Sequence, residues 1–534
     1  MKSFHCILII LAAFACTLSA SADEWDRSNY APSDKSVKIG HTNLPIVFID
    51  TRNGGKNANI IHKDYRIPAW MKIVSNADGI NYSDTVAHPG QHVDYEGWVG
   101  IKYRGNSSFE YSDKKPLGFK TLKTNDVDGK KDKVELLGMG KDNDWVMLAP
   151  FHDRSLIRDV LMFTLARPYF EYTPTMKYCE VVLDGIYYGI YIIGEKAGKG
   201  KYRLNLEEPG DSGDELTGDY HIEIDRNDEE HVYTSKYKGR NKNGSDLIIN
   251  NKVYFQYKNP EYEDMMPDHP AQLQYLQRQI DAMEDAFNSR NYTNPNTGYR
   301  KYVDVQSFVD QFLSQEFCLN GDAYRLSTNL YKRRDSVDPR FKTTLWDFNL
   351  AFGNNLAESI YKDSWGIYNT FITGIASNNP IPFWWAKLID DPAFVKQAKQ
   401  RWYEYRLTSY TEDHIMQVID SLTTMLQADG ALQRNFKVWP TLNQDIWLTP
   451  APPRNNTYAK EIKSLKDWII DRMKWIDRQL GFDATGITRP QETVGKQVDG
   501  YYNLNGVRVS KPQSGPVIVR YKDGTSRLVC PPRQ

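Results

Sequence analysis

Short apolar runs rich in β-branched residues, separated by Gly, Asn and Asp, fill the first two hundred residues of the chain. They predict strands over residues 44–50, 71–74, 98–103 and 117–122, and a hairpin of residues 179–183 and 187–193 around the turn Asp184-Gly185. Residues 153–167 instead repeat their apolar positions at helical spacing. The pattern therefore predicts one helix within a strand-rich half.

The helical period dominates after residue 267. It predicts helices over residues 270–289, 304–320, 391–406, 412–428 and 459–480. Residues 226–251 are charged and polar and predict an excursion on the surface. Because strands come first and helices later, the pattern favours the α+β class.

The ends of the chain differ from its centre. Residues 1–22 join a basic start, an apolar run and the small-residue sequence Ala20-Ser-Ala22, which predicts a signal peptide and export to the periplasm, the cell surface or the medium. A lipoprotein modified at Cys16 is the less favoured alternative. The run of about ten apolar residues is too short to cross a bilayer. No later segment approaches the necessary length without charges, so the mature chain is predicted without a transmembrane segment. The remaining divisions are a leader (23–41), a main domain (42–482), a linker (483–497) and a small β module (498–534).

The composition excludes several classes of protein. The 67 Lys and Arg residues are balanced by 68 Asp and Glu, giving a formal net charge of −1, which argues against a nucleic-acid-binding protein. Removal of the signal peptide leaves Cys179, Cys318 and Cys530, without a CxxC pair, so no disulfide framework is expected. His88 and His92 flank Pro89-Gly90, which breaks a helix, so a HExxH-like metal site is absent.

Two segments suggest chemistry. Residues 320–329 contain Asp322 directly after a predicted helix, and residues 344–353 contain Asp347, with a short predicted hairpin between them. In phosphoryl transfer one Asp orients or deprotonates the acceptor hydroxyl and a second holds Mg²⁺ on the phosphates. The alternative is structural: a capping Asp322 and a buried, hydrogen-bonded Asp347. A glycosidase with paired carboxylates also stays open, because such pairs are set in space rather than in sequence.

Five motifs occur in one order between about Leu44 and Leu480. They are Arg104-Gly-Asn-Ser-Ser108, Lys114-Lys-Pro116, Trp145 with Asp153-Arg-Ser-Leu-Ile-Arg158, Tyr188-Gly-Ile-Tyr191 with Glu195-Lys196, and Trp346-Asp-Phe-Asn349. This order resembles the CotH family, the spore-coat-protein-H-like secreted kinases with an atypical kinase fold. The resemblance implies a kinase-like fold and transfer of the ATP γ-phosphate, with Mg²⁺, to Ser or Thr of a protein outside the cytoplasm.

The resemblance also implies roles for individual residues. Asp322 would be the catalytic Asp and Asp347 the metal ligand, and both should face one cavity together with the phosphate-pairing Lys115, for which Lys120 is a weaker alternative. Arg104, Ser107 and Ser108 would lie by the phosphates, and the Glu195 region would meet adenine. The helix 153–167 would pack on the sheet that carries Lys115, with Arg158 or Asp159 reaching the cleft.

One departure from the kinase pattern leaves the activity open. Kinases usually carry an Asn, a second metal ligand, five residues after the catalytic Asp; here that position is Ser327, and Asn329 follows two residues later. Either Ser327 or Asn329 would therefore serve as the second ligand. The alternative is a pseudokinase-like surface protein that binds a nucleotide or a glycan without catalysis. The C-terminal residues resemble β tails of exported Bacteroidetes proteins, although a simple terminal β appendage fits as well.

Overall fold

The computed structural model describes most of the chain outside its N-terminus and several internal segments. The described residues are 30–239, 252–355, 362–368, 379–447, 449, 455–483, 498–502, 508–509, 517–522 and 526–529. The predicted signal peptide lies outside them.

Seven strands of the N-terminal half form a closed barrel. In order around it they are Ile46–Asp50, Ile67–Val74, Val93–Tyr103, Leu117–Leu122, Asp144–Leu148, Ile186–Gly194 and Met176–Leu183. Neighbours are antiparallel except where the first strand pairs in parallel with the last, Glu180 opposite Ile46, and closes the barrel. The predicted strands and hairpin are confirmed. The closing parallel pair was not predicted, because the sequence carries no local signal for a contact over more than a hundred residues.

Successive side chains of a strand point to opposite faces of the sheet, so every second side chain points out of the barrel. Ile101, Tyr103 and Phe119 are buried inside it. Lys102 and Lys120 alternate with them and are therefore on the outer face, where both line cavities described below.

The predicted helix 153–167 is shorter than expected and spans Arg158–Ala166. It begins late because the Asp153 carboxylate accepts the N–H groups of Ser155 and Arg158, each at 2.9 Å, and Leu156 has a φ of +63°. The helix shares an apolar cluster with outward-facing residues of the strands Met176–Leu183 and Ile186–Gly194. It thus packs on the closed sheet that also contains Leu117–Leu122, but on other strands of that sheet.

A second, five-stranded antiparallel sheet follows. Its order is Val232–Lys238, Lys252–Asn259, Tyr220–Asp225, Thr328–Lys332 and Phe341–Thr344. The surface excursion predicted for residues 226–251 is therefore wrong for the edge strand Val232–Lys238, and residues 240–251 lie outside the described part. The polar composition concealed the strand because its buried side chain is itself polar: the Ser235 hydroxyl donates to the Glu284 carboxylate at 2.7 Å.

The C-terminal half is mainly helical. Its longer helices are Pro270–Asn288, Val305–Cys318, Phe383–Asp390, Pro392–Leu407, Glu412–Gln427, Ala431–Val438 and Tyr458–Leu480, and short helices span Ser107–Glu110 and Tyr262–Met265. All five predicted helices are confirmed to within two residues at each end. Short strand pairs also occur at His41–Thr42 with Asn81–Tyr82 and at Val134–Leu136 with Met139–Asp142. The α+β class is confirmed.

The helical half completes the barrel core. Val438 and Trp439 belong to the apolar cluster inside the barrel, and the Trp439 indole N–H donates to the Tyr188 carbonyl at 2.7 Å. Val37 and Ile39, in the segment predicted as a leader, are buried in the same cluster. The described part of this leader is therefore packed on the barrel.

The C-terminal residues form a separate antiparallel sheet. Its strands are, in order, Arg508–Val509, Val498–Tyr502, Val517–Tyr521 and Ser526–Val529. Among the helices that the structure describes, none combines the length and the apolar character that crossing a bilayer requires.

Candidate functional site

Two adjoining cavities separate the barrel from the second sheet. The first, of about 400 Å³, is lined by many acids and is called the carboxylate cavity; the second, of about 720 Å³, is lined by many lysines and is called the lysine cavity. Arg104, Glu223, Lys258 and Trp346 line both. The two cavities therefore belong to one cleft.

The barrel contributes cations to this cleft. Lys102, Arg104 and Lys120 lie on or directly after neighbouring strands, and burial lowers the pKa of each. The Arg104 guanidinium carbon lies 5.6 Å from the centroid of the Trp346 ring. Within the described part of the chain, none of the three side chains has an ion pair within 4.0 Å or a side-chain hydrogen bond. Their charge is therefore available to an anion.

The opposite wall contributes carboxylates. The hairpin of strands Thr328–Lys332 and Phe341–Thr344 pairs Asn329 with Thr344, which brings the segments of Asp322 and Asp347 to one end of the sheet. Asp225 ends the neighbouring strand at the same end. Asp322, Asp347 and Asp225 all line the carboxylate cavity. The antiparallel register thus brings Asp322 and Asp347 to one cavity, as predicted.

Asp347 lies in a strongly acidic environment. Its backbone has a φ of +61°, and the Asn349 amide donates to its carboxylate at 2.8 Å. Burial and the nearby negative charges of Asp159 and Asp322 together raise the pKa of Asp347 to about 8, although Arg104 opposes them. Burial likewise raises the pKa of Asp159 to about 7. This part of the cavity therefore favours an added cation.

Asp322 is held by a neighbour in its own turn. Its carboxylate accepts from the Arg325 guanidinium at 3.0 Å, and its backbone N–H donates to the Asn320 side chain at 3.2 Å. The structure therefore orients Asp322 toward the cavity by an ion pair, while one of its oxygens remains for other partners.

Ser327 and Asn329 line different cavities. The Ser327 backbone N–H donates to Asp225 at 2.9 Å, and this residue lines the carboxylate cavity. Asn329 lines the lysine cavity, where its carbonyl oxygen accepts from His221 at 2.8 Å and its amide donates to Glu223 at 3.2 Å. Of the two predicted second metal ligands, only Ser327 shares a cavity with Asp347.

Ser107 and Ser108 also line the carboxylate cavity, in the short helix after Arg104. Gly105 precedes them with a φ of +83°, and a Cβ atom at this position would collide with the Ser108 hydroxyl. The glycine therefore permits the tight turn that places both serines beside the cleft.

Lys115 lies apart from both cavities. Its ammonium group donates to the Phe109 carbonyl and lies 4.1 Å from the ring centroid of Tyr30 and 4.5 Å from that of Phe109. Residue 115 precedes the strand Leu117–Leu122. Its side chain therefore lies under the short helix Ser107–Glu110 and not beside the outward-facing Lys102 and Lys120. The structure does not bring Lys115 to Asp322 and Asp347, whereas the alternative, Lys120, lines the lysine cavity.

Glu195 also points away from the cleft. Its carboxylate is buried and accepts the Thr175 N–H at 2.8 Å. The next residue, Lys196, lines the lysine cavity and pairs with Asp144 at 2.7 Å. The segment around Glu195, predicted to meet adenine, thus reaches the cleft through Lys196.

Arg158 and Asp159 also differ in whether their side chains reach the cleft. Arg158 is buried in an ion pair with Asp153 and donates to the Ala351 carbonyl at 2.9 Å. Asp159 lines the carboxylate cavity and accepts the Phe348 N–H at 2.6 Å. Of the two, only Asp159 reaches the cleft.

Sequence reasoning missed the strand that carries His221, Glu223 and Asp225. Its signal was present, because these polar residues alternate with Tyr220, Ile222 and Ile224. The alternation indicates a strand with one apolar and one polar face, and the polar face lies against the cleft.

The family of the chain follows from a comparison with protein-family models. The model described as CotH kinase protein matches residues 101–476, which include both walls of the cleft. The chain belongs to the CotH kinase family. This membership suggests a kinase-like function. A comparison with curated proteins finds no match.

The donor set suits a metal that is shared with a ligand. Among the residues that the structure describes, no three acidic, His or Cys side chains are grouped closely enough to hold a metal ion alone. Mg²⁺ is commonly held by one or two carboxylates together with substrate phosphates and water. Asp347, with Asp322 and Asn349 on the same cavity, fits that mode of binding.

Proposed function

We propose that this CotH-family chain is an exported protein kinase that transfers the γ-phosphate of ATP, with Mg²⁺, to Ser or Thr of an extracytoplasmic protein. The observation that carries the proposal is the position of Arg104, whose guanidinium lies where the two cavities meet and faces the carboxylates. A row of cations opposite a row of carboxylates suits a polyphosphate whose metal ion contacts the acids.

The barrel cations would bind the phosphates. Arg104 lines both cavities, with Lys102 in one and Lys120 in the other. Guanidinium and ammonium groups form charge-assisted hydrogen bonds with phosphate oxygens. Their burial in the cleft strengthens the attraction, because solvent screens buried charges less.

Asp322 would orient the acceptor and take its proton. In the transfer, the bond between the γ-phosphorus and the bridging oxygen of ATP breaks, and a bond forms between this phosphorus and the acceptor oxygen. The hydroxyl proton passes to Asp322, and ADP leaves with the bridging oxygen. Arg325 keeps the Asp322 carboxylate in place for this role.

Asp347 would hold Mg²⁺, with Asn349 or Ser327 as a further oxygen donor on the same cavity. When bound, Mg²⁺ neutralises charge on the phosphate oxygens. Asp347 must lose its proton to ligate, so the high pKa of this carboxyl couples metal binding to proton release.

Nucleotide binding without transfer is the second candidate. It is favoured by the ion pair of Asp322 with Arg325, which occupies one oxygen of the carboxylate, and by Ser327 at the position of the usual Asn. Export, in either case, is supported by the sequence of residues 1–22.

Transfer of labelled phosphate from [γ-³²P]ATP tests the proposal. The mature chain, with Mg²⁺, is expected to label itself or a Ser/Thr protein substrate, and Asp322→Asn is expected to reduce the rate by about 10²–10⁴-fold. The nucleotide affinity of the variant should stay close to that of the wild type. Nucleotide binding without label transfer by the wild type would replace the kinase with the second candidate.

A separate experiment tests export. Expression in a Gram-negative host, followed by fractionation and N-terminal sequencing, is expected to give a chain beginning at Asp23 outside the cytoplasm. An unprocessed cytoplasmic chain would contradict the export part of the proposal.

A further inference from the structure

The loop after the strand Tyr220–Asp225 reaches across the cleft to the barrel. The Arg226 guanidinium donates to the Ser107 hydroxyl at 3.3 Å, and the Asn106 amide donates to the Asp228 carboxylate. Ser107 and Asn106 belong to the barrel turn that follows Arg104. The second sheet and the barrel therefore touch over the carboxylate cavity, and Arg226 is at the contact.

The backbone of this loop is fixed from its own sheet. The Gln256 side-chain amide donates to the Arg226 carbonyl at 3.0 Å and to the Asp228 carboxylate at 2.8 Å. Gln256 lies on the neighbouring strand Lys252–Asn259. The position from which the Arg226 side chain extends is thus well defined.

The guanidinium itself is held loosely. Among the residues that the structure describes, its two side-chain contacts are long, 3.3 Å to Ser107 and 3.4 Å to Asp225. The other cations of this wall have shorter ones: Lys258 lies 2.6 Å from Glu229, and Arg325 lies 3.0 Å from Asp322. Of these three described cations, Arg226 therefore loses the least interaction energy when it exchanges its partners for an anion.

We propose that Arg226 binds the terminal phosphate of the donor nucleotide, opposite Arg104, as a phosphate-binding residue of the transfer reaction. The inference rests on the proposed function. A planar guanidinium presents paired N–H donors that match two phosphate oxygens, which an ammonium group does not. Arg226 gives and takes no proton in the transfer; it stabilises charge on the oxygens of the moving phosphoryl group.

The location of Arg226 also connects binding with closure of the cleft. A terminal phosphate between Arg104 and Arg226 would be contacted from the barrel and from the second sheet at once. Ser107, released by Arg226, remains on the same cavity wall. A nucleoside diphosphate lacks the phosphate that makes this contact, so Arg226 should distinguish ATP from ADP.

The test compares the affinities of ATP and ADP by calorimetry and the transfer rate, for the wild type, Arg226→Gln and Arg226→Lys. Both variants are expected to lose at least about tenfold in kcat and in ATP affinity, with less than about a threefold change in ADP affinity. The matched control is Arg340→Gln, because Arg340 directly precedes the strand Phe341–Thr344 of the same sheet but pairs with Asp338 at 2.8 Å, away from both cavities. It should change none of these quantities.

The outcomes separate this inference from the proposed function. An unchanged ratio of ATP to ADP affinity in both Arg226 variants, with melting temperatures near that of the wild type, overturns the role of Arg226 whether or not the wild type transfers phosphate. Absence of transfer by a wild type that binds ATP overturns the kinase alone. In that case, a lower ratio of ATP affinity to ADP affinity in the Arg226 variants still supports the contact between Arg226 and the terminal phosphate.

Discussion

The Asp159 carboxylate accepts the backbone N–H of Phe348 at 2.6 Å. This bond joins the helix on the barrel wall to the loop that holds Asp347, so the metal-binding candidate is positioned by a residue almost two hundred positions earlier in the chain. Asp159 also adds negative charge beside Asp347 and raises the pKa of Asp347. It therefore has two separable effects, one through the hydrogen bond and one through its charge.

Substitution of Asp159 should separate these effects. Asp159→Asn keeps an acceptor for the Phe348 N–H but removes the charge, so the pKa of Asp347 should fall and stability should change little. Asp159→Leu leaves a buried N–H without a partner and should lower the free energy of unfolding by about 1–3 kcal/mol. Urea unfolding of both variants measures the difference. Equal losses in the two variants would mean that the bond is unimportant.

The stability of the metal-free protein should depend on pH through Asp347. The folded-state pKa of this group lies above its unfolded value, so the folded state binds more protons between about pH 4 and 8 and the contribution of Asp347 to stability falls as the pH rises. Asp347→Asn should therefore gain stability relative to the wild type across this range. Mg²⁺ with ATP should stabilise the wild type more at pH 8 than at pH 5.5.

Melting curves with and without Mg²⁺ and ATP at both pH values make this measurement. Asp347→Asn should show little of the Mg²⁺-dependent shift. If it shows the full shift, Asp347 is not the metal ligand.

Substitution of Lys120 should weaken nucleotide binding, whereas substitution of Lys115 should not. Lys120→Met removes a cation that faces the lysine cavity and should weaken ATP binding by about tenfold, since a hydrogen bond to a charged group contributes about 1.5–3 kcal/mol. Lys115→Met removes a buried cation with local partners and should change the melting temperature but not ATP affinity. Calorimetric titration of both variants provides the comparison. A larger loss of affinity in Lys115→Met would restore the original assignment.

Lys114 should make stability increase with pH. Its ammonium group is almost fully buried and donates to the Ile190 carbonyl and, at 3.0 Å, to the Asn435 side chain, and burial lowers the pKa of this lysine to about 7. The unfolded chain binds one more proton than the folded protein between about pH 7 and 10. The difference in stability between wild type and Lys114→Met should therefore rise by about 1.4 kcal/mol per pH unit from pH 7 to 9.

Parallel urea unfolding of the two proteins at pH 7, 8 and 9 tests this. Lys115 and all the acids are common to both proteins, so their contributions cancel. A constant difference would mean that Lys114 keeps an ordinary pKa.

How much could be predicted from the sequence depended on the range of the interactions. The hairpin at Asp184-Gly185 and the helix Tyr458–Leu480 were predicted because a turn and a helical period are local signals. Asp322 and Asp347 were predicted to meet because one short hairpin connects them.

The failures involved long-range contacts. Lys115 precedes the strand that carries Lys120 by only two residues, and only the position of the short helix Ser107–Glu110 shows which of the two lysines is covered. Arg226 falls within residues 226–251, whose charged and polar composition predicts a surface excursion. In both cases the deciding contact is made by a distant segment.

The position of Trp439 in the apolar cluster of the barrel affects when the barrel can fold during synthesis. Gly189 has a φ of +92°, and a Cβ atom there would approach the Trp439 ring to 3.1 Å, so the barrel is shaped around a side chain that is synthesised 250 residues later. A chain truncated before residue 431 would lack Val438 and Trp439 and would leave the part of the apolar cluster that they cover exposed. We therefore expect the barrel to complete its folding only after nearly the whole main domain has been synthesised.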